Sequence, residues 1–305
     1  MEKNIILATV LLVFLIIAGF SHAETSGHEM EVVHLKDNSF SCTFDNVKHN
    51  FVLDLPEKTE GSPLVLMLPG YGNSAESLRT AVRFEKEANA MGYAVAYVTG
   101  AKDPKNAVSS FGWNSGIAAD GNDDTAFLIA LAAYLQKEYS LDPDRTYAAG
   151  FSNGAFMMHR LAMEAADTFS ACVSVAGLMP LKIWDSRKDV NEISFFQIYG
   201  EKDAAIPKNS DGSANNAKDP AIEDVMAYWA QSCGLELCDS EEIGKGSVLT
   251  KCRDDQRPDQ VWTLFVKGGM HSWPTEKLNG IDTNSLILEF FETVSLRRGE
   301  KENGK

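Results

Sequence analysis

The chain has 305 residues, of which 44% are hydrophobic and 23% are charged, and it contains five cysteines. This is the composition of a globular protein, and it excludes collagen, low-complexity disorder and a disulfide-dense miniprotein. With 28 Lys and Arg against 43 Asp and Glu, the formal net charge is −15. That charge argues against nucleic acid and anionic membrane surfaces as partners, because phosphate binding needs clustered basic side chains.

The first residues have the layout of a secretory signal peptide. A short polar start is followed by an apolar run from Ile5 to Phe20, and Ser21 and Ala23 supply small residues before a cleavage site. A helix of that length spans about 24 Å, which is short of a hydrocarbon core of about 30 Å. We therefore predict export, with residues 1–23 removed and no membrane association afterwards. An uncleaved membrane anchor is the alternative.

The rest of the chain is predicted to form one α/β domain over residues 24–296. Two half-buried strands come first, at 32–35 and 47–55. Continuous apolar runs, typical of strands buried on both faces, then alternate with helical patterns. This alternation predicts a mostly parallel sheet with helices on both faces. The runs lie at 64–68, 93–98, 146–149, 172–176, 195–199 and 261–266, the helices at 74–90, 124–139, 155–165, 221–232 and 285–296, and 297–305 is predicted to be a charged, disordered tail.

A strand-to-helix turn at residues 150–154 carries the nucleophile pattern G-x-S-x-G. A serine on such a sharp turn needs a strained backbone, and Gly150 and Gly154 remove side chains that would clash. The turn also places Ser152 at a helix N-terminus, where the helix dipole favours developing negative charge. We predict that Ser152 is a nucleophile in an α/β-hydrolase fold. An ordinary glycine-rich turn with a serine cap is the alternative.

A serine nucleophile needs a base, and the base needs an acid to orient it. Of the six histidines, only His271 follows the last buried strand, where this fold places its base. The acid should leave the strand at 195–199, and Asp203 is predicted to accept the Nδ1 proton of His271. Glu201 and Asp211 are competitors for that role.

The backbone N–H groups of Asn153 and Tyr71 are predicted to form the oxyanion hole. Asn153 directly follows the nucleophile, and Tyr71 lies in the glycine-containing loop after the strand at 64–68. No cluster of side chains has metal-ligand spacing, so the sequence implies neither a metal nor another cofactor.

Five segments between Pro63 and Pro274 carry motifs that occur together in one enzyme family. On these segments, the chain resembles the secreted α/β-hydrolases of the polyhydroxybutyrate depolymerase and feruloyl esterase type, close to carbohydrate esterase family 1. Pro69 stands where the family has a histidine, and Met270 and Thr275 stand where it has glycines, which bears on specificity more than on the triad. The segments are Pro63 to Gly72, Phe111 to Asn114 with Asn122 to Phe127, Gly150 to Gly154, Tyr199 to Asp203 with Ile206-Pro207, and Gly269 to Pro274.

The resemblance implies a secreted serine carboxylic-ester hydrolase that works through an acyl-enzyme. Its implied substrates are acyl or feruloyl esters of polysaccharide or of polysaccharide fragments. A polyhydroxyalkanoate depolymerase is the first alternative, and an acyltransferase or peptidase could use the same triad. A binding module that has lost catalysis is a further alternative, although serine, acid and base all remain in order.

The resemblance also assigns supporting residues. It implies a disulfide between Cys233 and Cys252, while the pairing of the other cysteines stays open. Trp113 and Trp273 lie in matched segments and are predicted to wall the substrate pocket, with a core position as the alternative. Asp124 opens a helix beside the active site and is predicted to cap it, with a role in the chemistry as the alternative. The connection from 176 to 194 is too short for a lid domain, so we expect an open groove.

Overall fold

The computed structural model describes residues 21–25, 28–102, 110–117, 121–188, 192–206 and 220–303. Most of the predicted signal peptide lies outside this part of the chain. The strands are β1 (Ser21–Thr25), β2 (His28–Lys36), β3 (Ser39–Phe44), β4 (Val47–Asp54), β5 (Leu64–Leu68), β6 (Ala94–Thr99), β7 (Ala101–Lys102), β8 (Phe111–Gly112), β9 (Thr146–Phe151), β10 (Ala171–Val175), β11 (Ser194–Gly200), β12 (Leu237–Ile243), β13 (Ser247–Arg253) and β14 (Val261–Val266). The helices are α1 (Ala75–Val82), α2 (Glu85–Ala90), α3 (Asp124–Tyr139), α4 (Asn153–Glu164), α5 (Leu181–Asp185), α6 (Ile222–Ser232), α7 (Glu276–Asn279) and α8 (Thr283–Asn303).

Twelve of these strands form one sheet, in the order β1-β2-β3-β4-β6-β5-β9-β10-β11-β14-β13-β12. The six central strands, from β6 to β14, pair in parallel. Antiparallel strands extend the sheet at both edges, so the sheet as a whole is mixed. Because the central strands are parallel, their carboxyl ends all lie on the same side of the sheet, and ligands bind beyond these strand ends in open α/β folds.

Two hydrophobic layers cover the two faces of this sheet. On β5, Leu64, Leu66 and Leu68 pack into one layer, while Val65 and Met67 pack into the other. The first layer contains the buried faces of α3, α4 and α6, and the second contains those of α1, α2 and α8. The predicted α/β architecture with helices on both faces is confirmed, and each continuous apolar run is explained by burial on both sides.

The structure corrects several predicted elements. The helix predicted at 74–90 is broken at Arg83, whose left-handed backbone (φ 52°) ends α1 and allows Phe84 to be fully buried. Helix α8 continues to Asn303, into the region where a charged, disordered tail is predicted. This stretch contains arginine, lysine and glutamate, which favour helix. Strands β3 and β12 are not among the predicted elements. β12 is a polar, exposed segment held by pairing with β13, whereas β3 is a short alternating strand between β2 and β4 whose Cys42 and Phe44 are buried.

The predicted disulfide between Cys233 and Cys252 is also wrong. The bond joins Cys238 to Cys252, which face each other directly in the antiparallel pair of β12 and β13, with Cα atoms 4.0 Å apart. Cys233 instead ends α6 in the core, and its thiol donates to the carbonyl of Ile193. Sequence resemblance placed one cysteine correctly, but the strand register decides its partner.

The connection between β10 and β11 is short, as predicted. Within its described residues, the five-residue helix α5 is the regular element, and a lid domain has no room there. Across the part of the chain that the structure describes, no helix combines the length and apolar character needed to cross a bilayer.

Candidate active site

Ser152 lies on a strained turn between β9 and α4. Its backbone has φ 53° and ψ −116°, a conformation that costs free energy and persists only where the surroundings enforce it. A Cβ on Gly150 would lie 2.3 Å from the carbonyl oxygen of Gly154, and a Cβ on Gly154 would lie 2.2 Å from that of Leu68. Both glycines are therefore required for the close packing of α4 against the strands, as the motif predicted.

The structure brings Ser152, His271 and Asp203 together at the carboxyl ends of the parallel strands. His271 Nε2 lies 2.9 Å from Ser152 Oγ, and His271 Nδ1 lies 2.8 Å from Asp203 Oδ2. These distances allow the serine hydroxyl to donate to Nε2 while the Nδ1–H donates to the carboxylate. The side chain of His271 is 27% exposed, so a substrate can reach it, whereas that of Asp203 is 3% exposed.

The loop after β11 holds Asp203 in place. Asp203 Oδ1 accepts the backbone N–H groups of Ala205 and Ile206, which leaves Oδ2 directed at His271. The competing Glu201 instead accepts from Lys267 Nζ and from the N–H of Gly268. The remaining competitor, residue 211, lies outside the described residues.

The loops that carry the acid and the base are in direct contact. The N–H of Lys202 donates to the carbonyl of Gly269, and a Cβ on Gly200 would lie 2.5 Å from that same oxygen. The ring of Phe151 packs beside His271 with ring centroids 5.1 Å apart. The position of His271 is thus fixed by neighbouring strands as well as by Asp203.

Two other histidines are buried in the core and have partners of their own. His159 Nε2 lies 3.1 Å from Gln197 Oε1, and burial lowers the pKa of His159 to about 3. His49 stacks on Phe127 with centroids 3.7 Å apart, and burial lowers its pKa to about 4. Both are neutral core residues near neutral pH. Among the described residues, no group of three or more His, Cys, Asp or Glu could hold a metal ion.

The loop after β5 approaches Ser152 closely. A Cβ on Gly70 would lie 3.1 Å from Ser152 Cβ, so the peptide that joins Gly70 to Tyr71 passes beside the nucleophile. The N–H of Gly72 donates to the carbonyl of Phe111, and the N–H of Asn73 donates to that of Gly70. The loop that carries Tyr71 thus lies next to Ser152, and Asn153 directly follows Ser152 in the chain, while their role as oxyanion donors stays a prediction.

Trp113 does not form the predicted pocket wall. Its side chain is buried in the first hydrophobic layer with 6% exposure. Its indole N–H donates to the carbonyl of Pro69 at 3.0 Å, and its backbone N–H donates to Asn153 Oδ1 at 2.7 Å. Trp113 therefore supports the loops around Ser152 from within the core.

Asp124 does not cap α3 as predicted. The cap is Asp123, whose side chain accepts the N–H of Ala126 at 3.0 Å. Asp124 is 1% exposed, and its Oδ2 accepts the backbone N–H of Asn114 at 2.6 Å. Burial raises the pKa of Asp124 to about 6, against the opposing effects of that hydrogen bond and of Arg160. The adjacent acids in the sequence gave no signal of this division of roles.

Trp273 is half-buried, two residues after His271. Its indole N–H donates to Asn284 Oδ1 at 3.2 Å, which ties the histidine loop to the start of α8. Trp273 also lines a surface cleft of about 190 Å³ together with Val82, Pro274 and Ile281. The substrate-binding role of Trp273 stays a prediction.

The amino-acid sequence is similar to those of known esterases. Residues 50–183 match the model of the esterase PHB (polyhydroxybutyrate) depolymerase family. The putative esterase NocK of Nocardia uniformis subsp. tsuyamanensis is 31% identical over 241 residues, which cover 72% of this chain and 67% of NocK. Probable feruloyl esterase C of Aspergillus terreus is 27% identical over 164 residues, covering 54% of this chain and 56% of that protein.

Solved structures share the fold at low sequence identity. The acetyl xylan esterase from Aspergillus awamori matches with a TM-score of 0.58 and 11% identity, covering 87% of this chain and 99% of that one. An S-formylglutathione hydrolase from Agrobacterium tumefaciens matches with a TM-score of 0.56 and 12% identity, covering 90% of this chain and 98% of that one. At these identities the similarity establishes the α/β-hydrolase fold.

Proposed function

Because the chain belongs to the esterase PHB depolymerase family of α/β-hydrolases, and is therefore a carboxylic ester hydrolase, we propose that it cleaves its substrates with a triad of Ser152, His271 and Asp203. One observation carries this proposal: a single imidazole lies within hydrogen-bond distance of both the Ser152 hydroxyl and the Asp203 carboxylate. That is the geometry that general-base activation of a serine requires.

In the proposed reaction, Ser152 Oγ attacks the ester carbonyl while His271 Nε2 takes its proton. His271 then returns the proton to the leaving alcohol, and an acyl-enzyme remains. A water molecule that His271 deprotonates hydrolyses this intermediate and restores Ser152. Asp203 holds the Nδ1–H tautomer and stabilises the imidazolium that forms in each half-reaction.

The negative charge on the carbonyl oxygen needs hydrogen-bond donors during both steps. We assign these donors to the backbone N–H groups of Tyr71 and Asn153. The close approach of Gly70 to Ser152 supports the first assignment, and the place of Asn153 at the first turn of α4 supports the second.

The triad is tested by matched substitutions at the two loops. Ser152→Ala and His271→Ala should each reduce ester turnover by about 10⁴-fold or more, because triad members act as a unit. Asp203→Asn should also be strongly impaired, while Glu201→Gln on the same loop should stay active, since Glu201 contacts Lys267 and Gly268. Turnover of p-nitrophenyl acetate at saturating substrate is the measurement. If Ser152→Ala retains more than about a tenth of wild-type turnover, the nucleophile assignment fails.

For substrate, we propose acyl or feruloyl esters carried by polysaccharide or its fragments. The short connection between β10 and β11 supports an open site, and Tyr71 (48% exposed) and Met270 (67% exposed) place apolar surface beside Gly70 and His271. A relative that is called a probable feruloyl esterase supports the same class. Polyhydroxyalkanoate depolymerisation is the second candidate, which the matched family model favours.

The two substrate classes are separated by one panel of esters. Methyl ferulate, acetylated xylo-oligosaccharide, a hydroxybutyrate oligomer and a long-chain nitrophenyl ester are compared by kcat/KM. We expect the first two to be preferred. Preference for the hydroxybutyrate oligomer would establish the second candidate, and preference for the long-chain ester would contradict the open site. Product analysis with excess alcohol acceptor separates hydrolysis from acyl transfer.

We further propose that the chain is exported and cut after Ala23. The apolar run from Ile5 to Phe20 and the disulfide between Cys238 and Cys252 support export, because disulfides persist in oxidising compartments. Cleavage there would leave Glu24 and Thr25 of the edge strand β1, which pairs with β2. The N-terminal mass of the protein recovered from the medium or periplasm tests this proposal.

A further inference from the structure

Residues 113–115, here called the bridging segment, connect the two loops that supply the proposed oxyanion donors. Trp113 donates its indole N–H to the carbonyl of Pro69, directly before Gly70. The side chain of Asn153 accepts the N–H of Trp113 at 2.7 Å and donates to the carbonyl of Trp113 at 3.3 Å and to Ser115 Oγ at 3.4 Å. Any displacement of the bridging segment would therefore move both loops relative to Ser152.

Two side chains from different helices hold the centre of the bridging segment. Asp124, on α3, accepts the backbone N–H of Asn114 at 2.6 Å. Arg160, on α4, donates from Nη1 to the backbone carbonyl of Asn114 at 2.6 Å. Both polar groups of one backbone residue are thus fixed by charged partners, whose hydrogen bonds are stronger than those between neutral groups.

We propose that Asp124 and Arg160 are positioning residues for the oxyanion hole, and that they act by fixing the bridging segment. They set the distance and direction of the Tyr71 and Asn153 N–H groups relative to Ser152. Neither side chain needs to touch the substrate. This inference rests on the proposed ester hydrolysis at Ser152.

The surroundings of Asp124 argue that it does more than start a helix. Asp123 already caps α3, so a second acid is not needed there. Asp124 is almost fully buried, and among the described residues its Oδ1 has no hydrogen-bond partner, an arrangement that is unfavourable for folding alone. Within the described part of the chain, the charged groups that act on it are Asp123, at the N-cap of α3, and Arg160 on α4, and Arg160 is itself paired with Glu164 at 2.8 Å.

The adjacent acids offer a matched test, with p-nitrophenyl acetate as substrate. Asp124→Ala should lower kcat by about 10- to 100-fold with KM changed by less than about 3-fold, because a donor displaced by about 1 Å loses transition-state contact more than ground-state contact. Asp124→Asn keeps an acceptor for the N–H of Asn114 and should recover most of the lost kcat. Asp123→Ala should lower the urea midpoint by removing the cap of α3, with kcat unchanged.

A second variant keeps the test decisive if Asp124→Ala does not fold. Arg160→Gln removes the charged donor to the Asn114 carbonyl from the opposite helix, and it should lower kcat in the same way. Unchanged kcat in Asp124→Ala or in a folded Arg160→Gln overturns the inference, as does an equal loss of kcat in Asp123→Ala. A wild-type protein that turns over no ester, with Ser152 unlabelled by a fluorophosphonate, would instead overturn the proposed function.

Discussion

Replacing His159 by glutamine should reduce the loss of stability of this protein in mild acid. His159 is 1% exposed on α4, and burial lowers its pKa to about 3. A histidine whose pKa is lower in the folded state than in the unfolded state gives full stability above about pH 6.5. That stability is lost as the pH falls from about 6.5 towards the folded pKa, because the unfolded chain binds the proton first.

The magnitude follows from three buried groups, His159, His49 and Asp124, whose displaced pKa values change their protonation on unfolding between about pH 5 and pH 7.5. Between about pH 7.5 and pH 5, His159 and His49 each cost about 2 kcal/mol of folding free energy, since each unfolded imidazole becomes protonated while the folded one does not. Asp124 acts in the opposite direction. Its folded pKa of about 6 means that the folded state gains about 1.4 kcal/mol over the same range. These groups together predict a net loss of roughly 2–3 kcal/mol.

The assay is urea unfolding at a series of pH values, with tryptophan fluorescence as the signal that reports unfolding. In His159→Gln, the stability lost between about pH 7.5 and pH 5 should be smaller by about 2 kcal/mol than in the wild type, whatever the variant's stability at pH 7.5. The matched control is His34→Gln, because the ring of His34 is exposed, lies beside Phe40 and contacts the Asp37 carbonyl in the turn after β2. An unchanged pH dependence in His159→Gln, or an equal change in His34→Gln, would refute the reasoning.

Two further predictions concern the covalent structure and the nucleophile turn. Mass mapping of the unreduced protein should yield a peptide that links Cys238 to Cys252, whereas a link from Cys233 to Cys252 would contradict the strand register. Cys238→Ser should lower the free energy of unfolding by up to about 3 kcal/mol, because the disulfide closes a loop with a sequence separation of 14 residues. Gly154→Ala should abolish ester turnover and strongly destabilise the fold, because the new Cβ would lie 2.2 Å from the backbone oxygen of Leu68. The control is Gly92→Ala, where the Cβ would enter open space at φ 88°. This variant should lose only about 1 kcal/mol of unfolding free energy and remain active. Turnover and urea midpoints of both glycine variants check this, and a fully active Gly154→Ala would show that the helix can move away from the strand.

Local patterns in the sequence were sufficient for the central fold. The apolar runs at 64–68 and 261–266 match β5 and β14 residue for residue, and 124–139 matches α3. These elements are buried on most sides, so their composition records their environment directly. The polar edge strand β12 gave no such signal, because its side chains are exposed and it is held by hydrogen bonds to β13 rather than by burial.

The sequence also predicted that Ser152, Asp203 and His271 lie on loops that meet, because chain order and the alternation of strands and helices determine which strand ends share one side of the sheet, and the structure brings these three side chains together. The sequence alone did not provide a physical reason to prefer Asp203 over Glu201 as the acid that contacts His271. Both acids follow β11 within three residues, and only the folded loops show one directed at His271 and the other at Lys267. The catalytic roles themselves await the substitutions described above.

The tertiary structure was needed to distinguish residues of the same type that lie close together in the sequence. Asp123 and Asp124 are adjacent acids, yet one caps α3 and the other is buried beneath Asn114. Cys233 and Cys238 both precede Cys252, yet only Cys238 lies opposite it. Periodicity and motifs identify which segment reaches a site, because they reflect burial and backbone conformation. They do not specify which side chain of that segment meets a partner distant in sequence, because that depends on the register and packing of elements that only the complete fold brings together.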